Sequence, residues 1–212
     1  MGTPVVYGPA YSTYVRTARL ALEEKNITCT LEEFDFLKGM PEEHYARHPF
    51  GKVPAFEHDG FWLYETAAVT RYVDEAFEGP SLQPGEVHRR ARMVQIIGII
   101  DSYTYGPVVG QIVIQRLVVP LMDGTPDEAA IEAAVPGARK SLNVLADLLG
   151  DQRYLAGDSL SLADLHLVPI VAYFALTPEG DAVLAELPNL RRWYDGMSGR
   201  DTVARTAPPP LV

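Results

Sequence analysis

A proline at the start of a strand, close to a tight hairpin, is the signal that most restricts the fold of this chain. Val53-Pro54 stands where the chain leaves a loop. A proline has no N–H for a strand ladder, so it belongs at the first residue of a strand, at an edge or at a bulge. Asp59-Gly60 is a strong two-residue hairpin signal. We therefore predict antiparallel strands at 55–58 and 61–64, followed by a helix that begins near Thr66.

The residues before the hairpin predict a β-α-β unit. Residues 4–7 form a short apolar run that ends at a Gly-Pro breaker, and Ser12 or Thr13 can cap the helix that follows. Residues 27–36 are rich in β-forming types. Because crossover connections are right-handed, the two strands should be parallel. With a short helix between 38 and 47, the order βαβ–α–ββα describes a small α/β domain over residues 1–78.

The rest of the chain predicts helices only. Residues 79–86 are dense in Gly, Pro and polar types, as in a linker, and residues 87–212 give no convincing strand. A long helix over 87–118 should be kinked at Gly106-Pro107. Capping boxes at Thr125–Glu128 and Ser161–Asp164 predict two further helix starts, and a last helix covers 189–197.

Composition excludes several classes of protein. The chain has 212 residues and a net charge of −10, which argues against a general binder of nucleic acid or of membrane surfaces. It has no run of about 18 apolar residues, and its first residues have neither a basic stretch nor a long apolar core, so we expect neither a membrane span nor a secretory leader. The lone cysteine, Cys29, excludes an internal disulfide, so we expect cytoplasmic residence. The five histidines lack metal-ligand spacing, and we expect no metal.

The chemistry around the hairpin indicates one kind of ligand. The backbone of Val53 can pair with an extended peptide-like molecule, and the helix start near Thr66 offers N–H groups to a carboxylate. Glu65 could accept from an ammonium group, and Lys52 could meet a second carboxylate. A ligand with a carboxylate and an amine at one end, a peptide bond in the middle and a carboxylate at the other end suits this set. Glutathione fits that description.

The same residues resemble a known family. HPFGKVPAF with YET resembles the glutathione-binding half of the cytosolic glutathione transferases, which carry Asn-Pro-Phe-Gly, a cis proline and a Glu-Ser pair. Here His48 replaces the Asn and Thr66 replaces the Ser. SLSLADLHLVPIVAYF resembles the family's helix-capping signature, and GPAYSTYVR with the long middle helix most resembles the phi class and its bacterial relatives. The resemblance implies an α/β thioredoxin-like N-terminal domain followed by an all-α C-terminal domain.

Three residues compete to activate the thiol. A hydroxyl at a helix N-terminus favours a thiolate by hydrogen bonding and by the helix dipole, and the phi-like pattern assigns this role to Ser12. Taken without the rest of the pattern, Ser12 would be interpreted simply as a helix cap. Tyr7 is the alternative, because other classes use a tyrosine at the end of the first strand. Cys29 is a third candidate, but its place in the second strand is wrong for a mixed disulfide.

The resemblance also implies the substrate contacts. Glutathione would be held by Ser12, Lys52, Val53, Pro54, Glu65 and Thr66, and Lys38 could compensate for Gly39 and Met40 where phi members carry a His-Lys pair. The hydrophobic substrate pocket would involve Tyr11, Phe36, Tyr103 and Tyr105.

The expected function is that of a glutathione S-transferase, which conjugates glutathione to hydrophobic electrophiles in detoxification. Glutathione would be a co-substrate, with no cofactor, and Phe50 predicts a homodimer because it resembles an aromatic that family members insert into the partner subunit. Two alternatives stay open. One is a glutathione-dependent isomerase, dehalogenase or peroxidase. The other is a non-catalytic protein that binds hydrophobic ligands or another thiol.

Overall fold

The computed structural model describes residues 2–35 and 38–208, and the chain divides into two compact units. The first unit comprises residues 2–82 together with residues 201–208, and the second comprises residues 83–200. The C-terminal residues 201–208 therefore group with the α/β part of the chain, although they follow the helical part in sequence.

The first unit is built on a four-stranded sheet. Its strands are β1 (Val5–Tyr7), β2 (Thr30–Glu32), β3 (Ala55–His58) and β4 (Phe61–Tyr64). Their order is β2-β1-β3-β4, with β1 parallel to β2 and antiparallel to β3, which is antiparallel to β4. The predicted hairpin and the parallel pair are both present. The predicted strand over 27–36 is shorter than expected and covers only β2.

Helices complete the first unit. They are α1 (Thr13–Glu24), α2 (His44–Arg47), α3 (Thr66–Ala76) and, at the far end of the chain, α9 (Asp201–Arg205). Side chains alternate across a strand. The register pairs Val6 with Phe56, and both are fully buried on the sheet face where the Phe56 ring lies 5.8 Å from that of Tyr72 in α3. Tyr7 therefore projects from the opposite face.

A buried ion pair joins the end of α1 to α3. The Lys25 Nζ donates to the Asp74 carbonyl at 3.0 Å, to the Asp74 Oδ1 at 3.2 Å and to the Pro80 carbonyl at 3.2 Å. The Asp74 Oδ1 also accepts from the Leu82 N–H at 2.8 Å. A buried charge needs this degree of compensation, because removing one partner strands the other. The chain that leaves α3 is thereby fastened to the first unit.

The second unit is helical. It contains α4 (Val87–Ile99), α5 (Glu128–Leu149), α6 (Leu162–Phe174), α7 (Pro178–Ala185) and α8 (Pro188–Ser198). After α4 the chain continues as π-helical turns over Ile100–Thr104 and Gly106–Val118, then as a 3₁₀ turn over Pro120–Met122. The sequence predicted a kink at Gly106-Pro107, but the departure from α geometry begins earlier, at Ile100.

One predicted helix cap was wrong by two residues. The box at Thr125–Glu128 placed the cap at Thr125, but α5 is capped by Asp127, whose side chain accepts from the Ala130 N–H at 3.0 Å. The Asp127 N–H in turn donates to the Gln115 side chain at 2.8 Å. A charged acceptor next to the helix start outcompetes a threonine hydroxyl, and this tertiary contact holds it there.

The capping box at Ser161 and Asp164 is present, and its carboxylate is a buried hub. Asp164 is fully buried and accepts from the Leu155 N–H at 2.9 Å, the Ser161 N–H at 2.9 Å, the Ser161 hydroxyl at 2.8 Å and the Trp193 Nε1–H at 2.8 Å. One side chain therefore joins the start of α6, the loop before it and α8.

Removing this hub should destabilise the protein strongly. Asp164→Ala leaves the Leu155 N–H and the Trp193 Nε1–H buried without their acceptor, and each stranded donor costs about 1–3 kcal/mol. We expect the free energy of unfolding, measured with urea, to fall by about 3 kcal/mol or more. The control is Asp195→Ala, because Asp195 lies exposed on α8 and pairs with Arg191 one turn away. It should cost less than about 1 kcal/mol. Equal losses would contradict the hub.

Candidate active site

Strand register brings three loops to one end of the sheet. Tyr7 pairs with Ala55, and Ala55 pairs with Tyr64. Tyr7 is the last residue of β1, Ala55 is the first of β3 and Tyr64 is the last of β4. The residues that follow β1, precede β3 and follow β4 therefore emerge together, and these are the loop to Ser12, the Val53-Pro54 pair and the Glu65-Thr66 pair.

A glycine lets two of these loops touch. Gly8 has a φ of 138°, a conformation that side-chain-bearing residues rarely adopt. A Cβ at this position would lie 2.7 Å from the Val15 Cγ2 and 2.9 Å from the Val53 Cβ. The loop after β1 thus packs directly against Val53, and any larger residue would force the two apart.

Ser12 occupies the cap of α1. Its backbone is extended, and its Oγ accepts from the Val15 N–H at 3.4 Å. A hydroxyl has one donor and two acceptor lone pairs. Capping uses only a lone pair, so the Ser12 O–H can still donate to a ligand. The hydroxyl is half-buried at the positive end of a helix dipole, which favours a bound anion.

The two rival residues have other surroundings. The Tyr7 ring is stacked on Trp62 with centroids 5.4 Å apart, and the Arg47 guanidinium lies 4.6 Å from its centre. Tyr7 therefore packs on the sheet face that carries α2. Cys29 is half-buried, and burial raises the pKa of its thiol, with Arg19 only partly opposing the shift. A raised pKa keeps a thiol protonated and unreactive at neutral pH.

The chain before β3 offers an unpaired backbone. The Val53-Pro54 bond is cis. Within residues 2–35 and 38–208, the N–H and C=O of Val53 make no hydrogen bond. Lys52 is exposed, and its carbonyl is fixed by the His44 Nε2 at 2.7 Å. This contact between α2 and the loop holds the peptide that leads into Val53.

The start of α3 supplies the third part of the site. Glu65 is exposed and adopts φ 70° and ψ 112°, which is rare for a residue with a side chain. Its carbonyl accepts from the Ala68 N–H at 2.9 Å and the Val69 N–H at 3.0 Å. The first N–H groups of a helix have no carbonyl in a preceding turn, so those of Thr66 and Ala67 are available to an anion.

Two buried histidines lie behind this site. His44 and His48 are one helical turn apart, 0% and 2% exposed, with ring centroids 6.3 Å apart. Neither Nδ1 has a hydrogen-bond partner in the described part of the chain. Burial lowers the pKa of His48, and the Glu65 carboxylate partly opposes this shift. Sequence reasoning noted His48 but missed His44, although their spacing on a helix was the available signal.

The other predicted site residues are described by their own surroundings. Lys38 is exposed and forms an ion pair with Asp35 at 3.3 Å, and the Tyr11 hydroxyl donates to the other Asp35 oxygen at 3.3 Å. In the second unit, Tyr103 is exposed and Tyr105 is half-buried. Phe36 lies outside the described residues. The hydrophobic pocket made from these aromatic residues stays a prediction.

Residues 2–35 and 38–208 contain neither a metal-binding cluster nor a helix that could span a membrane. No three His, Cys, Asp or Glu side chains there are grouped so that they could hold a metal ion. No helix in those ranges combines the length and the apolar character needed to cross a membrane.

Comparison with known proteins identifies the family. The family model described as "Glutathione S-transferase, N-terminal domain" matches residues 6–81, and that described as "Glutathione S-transferase, C-terminal domain" matches residues 105–201. Glutathione S-transferase F13 of Arabidopsis thaliana is 31% identical, over 96% of this chain and 94% of that protein. This chain belongs to the glutathione S-transferase family. Its similar relatives are plant phi-class members, as the sequence predicted, and the thioredoxin-like domain followed by a helical domain is confirmed.

Solved structures agree with this assignment. Glutathione transferase F7 from Populus trichocarpa superposes with a TM-score of 0.86 at 31% identity, covering 97% of this chain and 98% of that one. Glutathione S-transferase I from maize, solved in complex with an atrazine glutathione conjugate, gives a TM-score of 0.84 at 28% identity, covering 97% of each chain.

The contact between His44 and Lys52 should matter for glutathione binding. His44→Phe keeps a ring that can pack on Phe34, whose centroid is 4.7 Å away, but removes the hydrogen bond to the Lys52 carbonyl. A net hydrogen bond is worth about 0.5–1.5 kcal/mol, so we expect the glutathione Kd, measured by calorimetry, to rise about 2- to 13-fold. His88→Phe alters a fully solvated histidine on α4 and should leave the Kd unchanged. An unchanged Kd in His44→Phe would contradict the role of this contact.

Proposed function

We propose that this transferase adds the glutathione thiolate to small hydrophobic electrophiles and that Ser12 stabilises the thiolate. The observation that carries the proposal is the Ser12 O–H at the N-terminus of α1, which donates to no group within the described ranges and lies in the loop that packs against Val53. A cysteinyl backbone paired with Val53 would bring its thiol toward that hydroxyl. Membership of the family and the resemblance to phi members support the same assignment.

The chemistry required of the protein is modest. A free thiol has a pKa of about 8.5, so most of it is protonated at neutral pH. The Ser12 O–H and the helix dipole both favour the anion, so the thiol proton is lost to solvent more readily. The sulfur lone pair then forms a bond to an electrophilic carbon, and any leaving group departs with its bonding electrons. Holding the two reactants together supplies much of the remaining rate.

The contacts to glutathione follow from the charge of each loop. The Val53 N–H and C=O would pair with the cysteinyl backbone beside Pro54, and Lys52 would meet the glycyl carboxylate. Glu65 would accept from the γ-glutamyl ammonium group, while the N-terminus of α3 at Thr66 would receive the carboxylate of that same end. Lys38 would help at the glycyl end after release from Asp35.

The second substrate is assigned only by class. The maize relative was solved with an atrazine glutathione conjugate, which supports a hydrophobic electrophile and a detoxifying role here. Tyr11, Phe36, Tyr103 and Tyr105 are the aromatic residues proposed to receive it. In this assignment residues 1–78 bind glutathione, residues 79–86 connect the domains and residues 87–212 contribute the hydrophobic pocket. We place the enzyme in the cytoplasm, in keeping with its single cysteine, and give it no cofactor.

Kinetics of a Ser12 variant and of the wild type should show whether Ser12 activates glutathione and whether the chain is an enzyme or a non-catalytic binding protein. Loss of one preorganised donor typically costs about 10²- to 10³-fold in rate, so we expect Ser12→Ala to lower kcat/KM with glutathione and a chlorodinitrobenzene by that factor. Tyr7→Phe removes a hydroxyl from the same unit and should stay within about 3-fold. Loss of activity in Tyr7→Phe alone would assign thiol activation to Tyr7 at the end of β1 instead of Ser12. No turnover by the wild type with chlorinated, epoxide or peroxide substrates would favour the binding protein.

We also propose a symmetric homodimer that depends on Phe50. This side chain is 70% exposed and lies edge-on to Tyr64, with centroids 6.2 Å apart. An aromatic anchor typically contributes 2 kcal/mol or more, so Phe50→Ala should raise the dimer dissociation constant about 30-fold or more by sedimentation equilibrium. Phe61→Ala, which removes another half-exposed phenylalanine of the same unit, is the control. A monomeric wild type, or equal weakening by both variants, would overturn the proposal.

A further inference from the structure

A concave pocket in the second unit is lined by residues that have no part in the proposed binding of glutathione or of the hydrophobic substrate. Its volume is about 370 Å³, and it is formed by the loop at 151–154 and by the face of α8 that includes Trp193 and Met197. The volume is within the range of small-molecule sites. None of the glutathione contacts or aromatic pocket residues lines it, so what it binds is a separate question.

The charge of this pocket is opposite to that of the chain. Three arginines line it, Arg153, Arg192 and Arg200, against one carboxylate, Asp151, although the whole chain carries a net charge of −10. We call this site the arginine pocket.

Among the described residues, two of its arginines form no ion pair, as is also the case for Arg90 and Arg92 elsewhere in the unit. Within the described ranges, Arg153 and Arg192 have no carboxylate within ion-pair distance. Other arginines of the unit do form ion pairs with carboxylates: Arg89, Arg116, Arg139 and Arg191. Two guanidinium groups without a counter-charge, both facing one concavity, make a site for an anion.

The pocket is also shaped to hold an organic group. Trp193 and Met197 form its apolar floor and are 3% and 2% exposed. Trp193 is fixed by its hydrogen bond to Asp164. The Arg153 guanidinium lies 5.2 Å from the centre of the Tyr154 ring. On α8, a Cβ built on Gly196 would meet no atom within 4 Å, so the pocket is open where any other residue would begin to fill it.

We propose that the arginine pocket binds a small organic phosphate monoester. Its lining carries two more positive than negative charges, and a phosphate monoester carries about −1.5 to −2 at neutral pH, whereas a carboxylate carries one. Guanidinium forks match phosphate oxygens in pairs, which is why arginine is selected for such groups. The apolar floor would receive the organic part. The proposal is independent of glutathione conjugation.

Trp193 provides the readout. The chain has two tryptophans, so in a Trp62→Phe background the fluorescence reports on the pocket floor. We expect phenyl phosphate to change this emission saturably, and inorganic phosphate to bind at least about 10-fold more weakly because it leaves the floor uncovered. Arg153→Gln and Arg192→Gln should each weaken phenyl phosphate binding about 10-fold or more, since a charge-assisted hydrogen bond is lost.

Matched variants make the test selective. Arg191→Gln removes the same charge from the adjacent position of α8, where Arg191 pairs with Asp181 and Asp195, and it should leave binding within about 2-fold. Gly196→Met should abolish binding by filling the opening without changing the charge. All four variants should keep the glutathione-conjugating rate of the Trp62→Phe parent. Absence of a saturable signal, equal weakening by Arg191→Gln, or equal binding of phenyl phosphate, benzoate and inorganic phosphate would overturn the proposal.

Discussion

The antiparallel pairing of β3 with both β1 and β4 is the constraint on which the site depends. Tyr7, Ala55 and Tyr64 stand side by side at one end of the sheet. A shift of one residue in the pairing of β1 with β3 would put the buried Val6 and Phe56 on opposite faces of the sheet. The hydrophobic core therefore selects the register, and the register in turn gathers Ser12, Val53 and Glu65. The site is a consequence of how the core is packed.

Several local features then fix the loops that the register brings together. Gly8 allows the loop after β1 to approach Val53, and the His44 ring holds the carbonyl of Lys52. Glu65 adopts a positive φ between β4 and α3. Such backbone conformations cost about 1–3 kcal/mol and persist where the surroundings impose them. The buried Lys25–Asp74 pair anchors α1 and α3, the two helices whose N-termini face the proposed ligand.

Much of this architecture could be predicted from the sequence, because its signals are local. Asp59-Gly60 marked the hairpin, and the capping box at Ser161 marked the start of α6. Signals that depend on tertiary contacts were missed. The Asp127 cap is held by Gln115, and the π-helical turns begin at Ile100, before the Gly106-Pro107 pair where the sequence predicts a kink. The role of His44 also needed the structure, because its spacing from His48 indicates a shared helix face but not the Lys52 carbonyl that it contacts.

The role proposed for Ser12, at the N-terminus of α1, is to lower the thiol pKa of bound glutathione. Its most direct test is a pH titration of the thiolate ultraviolet absorbance of the glutathione complex, for wild type and Ser12→Ala. We expect a wild-type pKa at least about one unit below the free value of about 8.5, equivalent to about 1.4 kcal/mol, and a return toward that value in Ser12→Ala. A wild-type pKa equal to the free value, or an equal lowering in both proteins, would contradict it.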